Sequence, residues 1–438
     1  MIIEKKGPLK GIMTVPGDKS ISHRSVMLGA LSEGITEVEN FLMGEDCIST
    51  ISCFRQMGIA IDIDSTNKKV SINGKGLYGL TSPKYPLDVG NSGTTIRLLS
   101  GILCGQPFSS TITGDNSIKR RPMGRILTPL RQMEAYIDSE SNDSCAPLLI
   151  NSFNSSASAS STLRNSLPHR LKGIHYHSPV ASAQVKSCVL LAGLYADSET
   201  KVTEPALSRN HTELMLSEFG ASVSSVDNRS SVLPNPRLTG RKLSVPGDIS
   251  SAAYFIAATL IVPNSELLIK NVGINPTRDG IINVCRMMGA DISLENIRKN
   301  GEEPVADLLV RHSNLKGIEI EGSIIPTLID EIPIIAVLSC FAEGKTIIKN
   351  AEELKVKESN RIEEIVNNLL AMGADIRATD DGMIINGGRP LHGAIIDSKM
   401  DHRIAMSFAV AGLVADGETQ ILNPECVNIS YPNFFTSL

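Results

Sequence analysis

No two of the eight cysteines form a CxxC pair; they are scattered at Cys47, Cys53, Cys104, Cys145, Cys188, Cys285, Cys340 and Cys426. The spacing of a zinc site is therefore lacking, and thiols set inside apolar runs such as Val337 to Phe341 read as reduced core residues. No stretch reaches the roughly 20 apolar residues of a membrane span. The opening residues pair no basic segment with a long apolar run and a small-residue cleavage site, so the expected location is cytoplasmic. Excess positive charge is lacking as well. A formal charge of −5 argues against a nucleic-acid or general polyanion binder, which needs a basic field over a wide surface. An anionic ligand would have to be met by local cations.

What is present is 438 residues, 42% of them apolar. That is more chain than one core usually organises, so two globular domains are expected. The chain also repeats itself. Val15-Pro-Gly-Asp-Lys-Ser20 returns as Val245-Pro-Gly-Asp-Ile-Ser250, each time followed by an apolar helical run. A helix ending in Gly or a near equivalent recurs at Phe54 to Gly58, Arg131 to Glu134, Leu216 to Gly220, Arg286 to Gly289 and Leu369 to Gly373. Gly there takes the left-handed conformation that stops a helix before a new strand. Two halves of three mixed helix and sheet units follow, with Pro432 to Leu438 as the sixth closing helix. Thr111 to Thr113, Lys345 to Lys349 and Met383 to Ile385 read as strands. The Ser- and Asn-rich tract 151–166 reads as a solvated loop.

Eight segments carry chemistry. Pro16-Gly-Asp-Lys-Ser-Ile-Ser-His-Arg24 is a tight turn into a helix, and Ser20 and Arg24 share one face of it beside Lys19. It lacks Walker spacing. Gly90-Asn-Ser-Gly-Thr-Thr-Ile-Arg97 is a second small-residue turn opening an apolar helix. Lys119-Arg-Arg-Pro-Met-Gly-Arg125 puts cations at a Pro-marked helix start, where they are unfavourable without an anion. Ser182-Ala-Gln-Val-Lys-Ser187 and Ser208-Arg-Asn-His-Thr-Glu213 add hydroxyl, amide and guanidinium groups. Asp330-Glu331 precedes an apolar run. In Leu354 to Arg361, Lys357 and Arg361 are expected on one face of a helix start with Glu358 between them, and Asp401-His-Arg403 opens another helix with Asp401 as its cap. Alone, the segments at Gly90, Ser182 and Ser208 read more often as ordinary helix caps than as sites, and Leu354 to Arg361 is the most informative. Together, Lys19, Arg24, Arg97, Arg121, Lys186, Arg209, Lys357, Arg361 and Arg403 predict a focused site for small ligands bearing phosphates and carboxylates. Asp330 and Glu358 are the acid and base candidates within it.

These segments, in this order and over nearly the whole chain, resemble the 5-enolpyruvylshikimate-3-phosphate (EPSP) synthase family. The resemblance implies a two-domain inverse α/β barrel, each domain three βαββαβ units with pseudo-threefold symmetry, closing around substrates. It places the domains at 19–244 and at 1–18 plus 245–438, with the first strand joining the second domain. Carried over by position, Lys19, Ser20, Arg24, Ser182, Ala183, Gln184, Arg209, Asp330 and Lys357 look like shikimate 3-phosphate contacts. Lys19, Asn91, Gly93, Thr94, Arg121, Gln184, Arg361 and Arg403 look like phosphoenolpyruvate contacts. Asp330, Glu358 and Lys19 look catalytic. The implied enzyme is a cytoplasmic monomer that needs neither cofactor nor metal, with no nucleic-acid or membrane partner.

One departure is Ile429, where many members carry Lys. Together with GDKS, SAQVK, RNHTE and Asn275-Pro-Thr-Arg278, Ile429 resembles the family's second class, often tolerant of glyphosate. Gly93, where tolerant members often carry Ala, implies intermediate sensitivity instead. A sister transferase acting on UDP-N-acetylglucosamine, or a noncatalytic phospho-ligand binding protein, are the alternatives. The first typically carries a loop Cys that Lys119 to Arg125 lacks, and the second would not need Asp330 and Glu358.

Overall fold

The computed structural model describes residues 1–141, 143–151 and 171–438. All of the Ser-rich tract but Asn151 lies outside the described residues. The chain divides into two compact units, residues 19–245 and residues 1–18 with 246–438.

Among its described residues the unit 19–245 holds three four-stranded sheets. In strand order they are Lys242–Ser244, Glu33–Glu39, Lys69–Lys75, Ala60–Asp64; then Leu87–Asp88, Ser110–Thr113, Leu148–Ile150, Ile137–Ser139; then His175–His177, Thr200–Thr203, Arg229–Val232, Val223–Val226. In each sheet the first two strands pair in parallel and the rest antiparallel. A parallel pair needs a crossover, which Gly93–Cys104 and Ala183–Gly193 supply. A second helix, such as Gly124–Gln132, then leads into an antiparallel hairpin. The order along the chain is thus βαβαββ, which corrects the expected βαββαβ: the two helices flank one strand, and three strands follow before the next helix. Val245, expected in the other domain, belongs here. Its N–H donates to the Glu39 carbonyl at 2.9 Å, and Asn40 Nδ2 donates to its carbonyl at 2.8 Å.

The other unit repeats this plan. Lys10–Thr14 pairs in parallel with Glu266–Gly273 in a sheet completed by Glu303–Arg311 and Asp291–Asn300. Glu319–Ile320, Lys345–Ile348, Met383–Asn386 and Asp375–Ala378 make the next sheet; Ile395–Asp397, Thr419–Leu422 and Ile2–Ile3 make the last. The two duplicated turns meet in this unit. The Asp18 N–H donates to the Pro246 carbonyl at 2.8 Å and the Asp248 N–H to the Pro16 carbonyl at 2.9 Å. Arg278 bridges the paired aspartates, Nη1 to Asp18 at 3.1 Å and Nη2 to Asp248 at 3.0 Å.

Helix ends follow the repeat. Gly58, Gly220, Gly289 and Gly373 have φ between +85° and +103°, and Glu134 takes φ +62° at the equivalent place in the second repeat. The expected closing helix is shorter, Phe434–Ser437, after the turn Pro424–Ile429. No single helix among the described residues is long and apolar enough to cross a membrane. Seven cysteines are buried and Cys145 half-buried, and none of them forms a disulfide. Burial pushes the thiols of Cys53, Cys188, Cys285 and Cys340 up to about 12.

Helices Gly93–Cys104 and Ala183–Gly193 approach closely at Gly101, where a Cβ would lie 2.2 Å from the Cys188 carbonyl oxygen. Backbone cannot yield as a side chain does. Gly101→Ala should therefore destabilise the protein by about 1–3 kcal/mol through overpacking. A lowered Tm is the expected readout, and an unchanged Tm would mean that the helices do not meet there.

Candidate active site

In the unit 19–245 the glycine-rich turns leave their polar groups at the starts of buried helices. Helix Lys19–Leu31 is buried from Ile21 onward, with Lys19 and Ser20 half-buried at its first turn. Lys19 Nζ pairs with Asp46. Arg24 is buried and held by three oxygens: Nε donates to Thr212 Oγ1 at 2.6 Å, Nη2 to Ser187 Oγ at 2.7 Å and Nη1 to the Ser20 carbonyl at 3.0 Å. Ser92 caps helix Gly93–Cys104 by accepting from the Thr95 amide. Around that helix start Arg121 Nη2 donates to Asn91 Oδ1 at 2.7 Å, Arg97 Nη1 to Gln184 Oε1 at 2.7 Å and Gln184 Nε2 to Thr94 Oγ1 at 3.1 Å. A Cβ on Gly93 would lie 2.9 Å from Arg97 Nη1 and 3.1 Å from Arg121 Nη1. The segments 91–97, 121 and 184 therefore form one cluster. Ser182 and Ala183 open helix Ala183–Gly193, and Arg209 is half-buried in the loop before helix His211–Glu218.

In the other unit the centre is Arg361, whose side chain is 1% exposed. Its Nε donates to Asp401 Oδ2 at 2.8 Å, Nη2 to Glu358 Oε2 at 2.5 Å, and Nη1 reaches Asp330 Oδ1 at 3.4 Å. Arg403 donates from Nη1 to the Asp330 carbonyl at 3.2 Å, and its Nη2 stands 3.6 Å from Asp330 Oδ2. Asp401 also caps helix His402–Gly412 through the Arg403 amide at 2.9 Å. Burial alone would lower the basicity of Arg361; the carboxylates of Asp401 and Glu358 more than reverse this. Lys357 Nζ sits 3.2 Å from Glu353. Ile429 is buried at the end of its turn.

Two expectations need correction. Lys357 and Glu358 are not on a helix: Asn360 caps helix Arg361–Ala371 by accepting from the Glu363 amide, so both residues lie in the segment before it. Lys186, in sequence one of the ligand cations, has a side chain that is 1% exposed and stands 3.0 Å from Glu204 and 2.9 Å from Glu213. Burial pulls its pKa down, but the two carboxylates outweigh this and raise it. Glu204 also accepts from the Ser182 amide at 2.8 Å and from the Ser208 hydroxyl at 2.7 Å, so Lys186 fixes the loop that carries Arg209. Asp46 and Glu353, which hold Lys19 and Lys357, lie outside the motif segments, whereas Ser187 and Thr212, which hold Arg24, lie inside two of them. Their only signal is a polar residue inside an otherwise apolar helix or beside a basic motif.

Lys186→Met leaves two buried carboxylates without their cation. It should destabilise the protein by about 3–5 kcal/mol, read as a lower denaturant midpoint for its unit. A midpoint within error of wild type would show the triad to be dispensable.

The family model for EPSP synthase (3-phosphoshikimate 1-carboxyvinyltransferase) matches residues 3–438. A curated 3-phosphoshikimate 1-carboxyvinyltransferase from Thermoanaerobacter sp. is 58% identical over 433 residues, covering 99% of this chain and 98% of that protein. One from Brevibacillus brevis is 55% identical over 432 residues, covering 99% and 97%. A solved EPSP synthase structure from Acinetobacter baumannii superposes with a TM-score of 0.85 at 44% identity, covering 99% of this chain and 96% of that one. With a family match over nearly its whole length and identities of this size, the chain belongs to the EPSP synthase family.

Proposed function

We propose that two residue sets carry out the family's reaction in this chain: transfer of the enolpyruvyl group of phosphoenolpyruvate to the 5-hydroxyl of shikimate 3-phosphate, with release of phosphate, on the way to chorismate and the aromatic amino acids. Lys19, Ser20, Arg24, Ser182, Ala183, Gln184 and Arg209, with Asp330 and Lys357, hold shikimate 3-phosphate. Asn91, Gly93, Thr94, Arg121, Arg361 and Arg403, with Lys19 and Gln184, hold phosphoenolpyruvate. The repeated sheets support an inverse barrel with pseudo-threefold symmetry in each unit, and we take the enzyme to act as a cytoplasmic monomer.

The observation that carries the mechanism is Asp330 beside Arg361 and Arg403. Without substrate, the two guanidinium groups stabilise its anion and keep it a weak base. When the phosphate and carboxylate of phosphoenolpyruvate take those guanidinium groups, their hold on the Asp330 carboxylate weakens and its basicity rises. It then accepts the proton of the 5-hydroxyl as that oxygen attacks C2, while C3 gains a proton from Glu358 or Lys19. Elimination reverses the proton movement: C3 loses a proton, the C2–O bond to phosphate breaks, and Arg121 and Arg403 stabilise the departing dianion. No step requires a metal.

Phosphate release from phosphoenolpyruvate should depend on shikimate 3-phosphate as acceptor; release with UDP-N-acetylglucosamine instead would assign the chain to the sister activity. Arg24→Ala should chiefly weaken shikimate 3-phosphate and Arg403→Ala chiefly phosphoenolpyruvate, each by about 2–5 kcal/mol if the lost partner is a desolvated charge pair. Equal losses for both ligands in both variants would contradict the division. Gly93→Ala pushes a methyl toward Arg121 and Arg97. Overpacking of about 1–3 kcal/mol corresponds to a 5- to 150-fold loss of affinity. Glyphosate, longer than phosphoenolpyruvate, has less slack, so its inhibition constant should rise much more than the Michaelis constant for phosphoenolpyruvate. Parallel shifts would remove Gly93 from the pocket.

A further inference from the structure

His23 lies in the first motif between Ser20 and Arg24, yet the reaction as described does not use it. Its Nδ1 is 2.7 Å from Thr50 Oγ1, which is 2.7 Å from Thr95 Oγ1, which donates to Ser92 Oγ at 2.7 Å. Ser92 Oγ also accepts from the Thr95 amide at 3.1 Å. All four side chains are fully buried. An unbroken file of polar atoms therefore runs from the helix of Lys19, Ser20 and Arg24 to the residue just before Gly93.

Each hydroxyl carries one proton, so the file can point either way. If Ser92 donates to Thr95, Thr95 to Thr50 and Thr50 to Nδ1, the ring proton must sit on Nε2. That atom is buried without a partner among the described residues, and an N–H stranded there loses its hydration for nothing. The reverse direction, from Nδ1–H through Thr50 and Thr95 to Ser92, leaves only a bare lone pair on Nε2. A doubly protonated ring would also strand Nε2–H. Burial, with Lys19 and Arg24 adding to it, holds the His23 pKa well below the usual imidazole range, so the ring is neutral. Thr50 could instead donate to the Asp46 carbonyl at 3.3 Å, but the shorter oxygen–oxygen contact to Thr95 needs a proton of its own.

We propose that His23 is a positioning residue: as the Nδ1–H tautomer it directs the Thr50–Thr95–Ser92 file, fixes Ser92 as the acceptor that pins the first turn of helix Gly93–Cys104, and so holds the Gly93 and Thr94 amides in place for an anionic oxygen. This rests on the reading that phosphoenolpyruvate meets Gly93 and Thr94. Thr50→Val cuts the file at its middle at nearly constant volume, takes from His23 Nδ1 its hydroxyl partner and leaves the Ser92–Thr95 cap in place. It should raise the Michaelis constant for phosphoenolpyruvate by about 2- to 12-fold, the range of one net hydrogen bond. The constant for shikimate 3-phosphate and kcat should stay near wild type, and Thr50→Ser should restore the loss.

Arg121→Ala, measured alongside, separates the two claims. If it raises the phosphoenolpyruvate constant and Thr50→Val does not, the file has no positioning role and the site stands. If neither variant moves that constant, the anion binds elsewhere and both claims fall. Nitrogen NMR of the wild-type imidazole decides independently of any variant's folding. Neutral His23 protonated on Nδ1 is expected; an Nε2–H tautomer or an imidazolium at neutral pH overturns the proposal.

Discussion

A guanidinium or ammonium group withdrawn from water must have its N–H groups met by oxygens, and most strongly by carboxylates, because the desolvation cost of the bare ion exceeds what packing returns. Among the described residues three carboxylate-held nodes do this: Lys186 between Glu204 and Glu213, Arg278 between Asp18 and Asp248, and Arg361 among Asp401, Glu358 and Asp330. Each ties together segments far apart in sequence. The nodes differ in how far their carboxylates are shut away. Those around Lys186 are 1% and 3% exposed and those around Arg278 are 6% and 7%, whereas Asp330 and Glu358 keep 15% and 19%. The first two nodes are closed and structural. The third retains access, and there an exchange of partners with an incoming anion can change a carboxylate's basicity.

The reading of the repeat from helix ends succeeds because it rests on a local rule. A residue forced to positive φ ends a helix wherever it stands, and Glu134 shows that the position, more than the Gly itself, is what recurs. The strand order was out of reach for a related reason. Nothing local in Lys10–Thr14 says that its partner is Glu266–Gly273, since pairing across such a separation is set by the whole sheet. The misplacement of Lys357 comes from periodicity, which extends a helix backward through residues that the Asn360 cap excludes.

The site was legible where the motif itself holds the chemistry. Arg121 with Asn91, and Gln184 with Thr94 and Arg97, are brought together by helix starts that the glycine-rich turns already announced. It was not legible where a cation's fate depends on a distant carboxylate. Lys186 reads as a ligand cation in sequence because Glu204 lies 18 positions on, and only the fold shows that Glu204 neutralises it. Asp401 was visible as a cap but not as the main partner of Arg361, because one carboxylate serves both the Arg403 amide and the Arg361 guanidinium.

In the proposed transfer carbon, and not phosphorus, is the centre attacked. Phosphoenolpyruvate labelled with oxygen-18 in the bridge between C2 and phosphorus tests it directly, with shikimate 3-phosphate as acceptor and mass analysis of the phosphate released. Addition at C2 followed by elimination breaks the C2–O bond, so the label should leave with the phosphate. Phosphate released without the label would mean cleavage at phosphorus and would contradict the roles given to Asp330, Glu358 and Arg403.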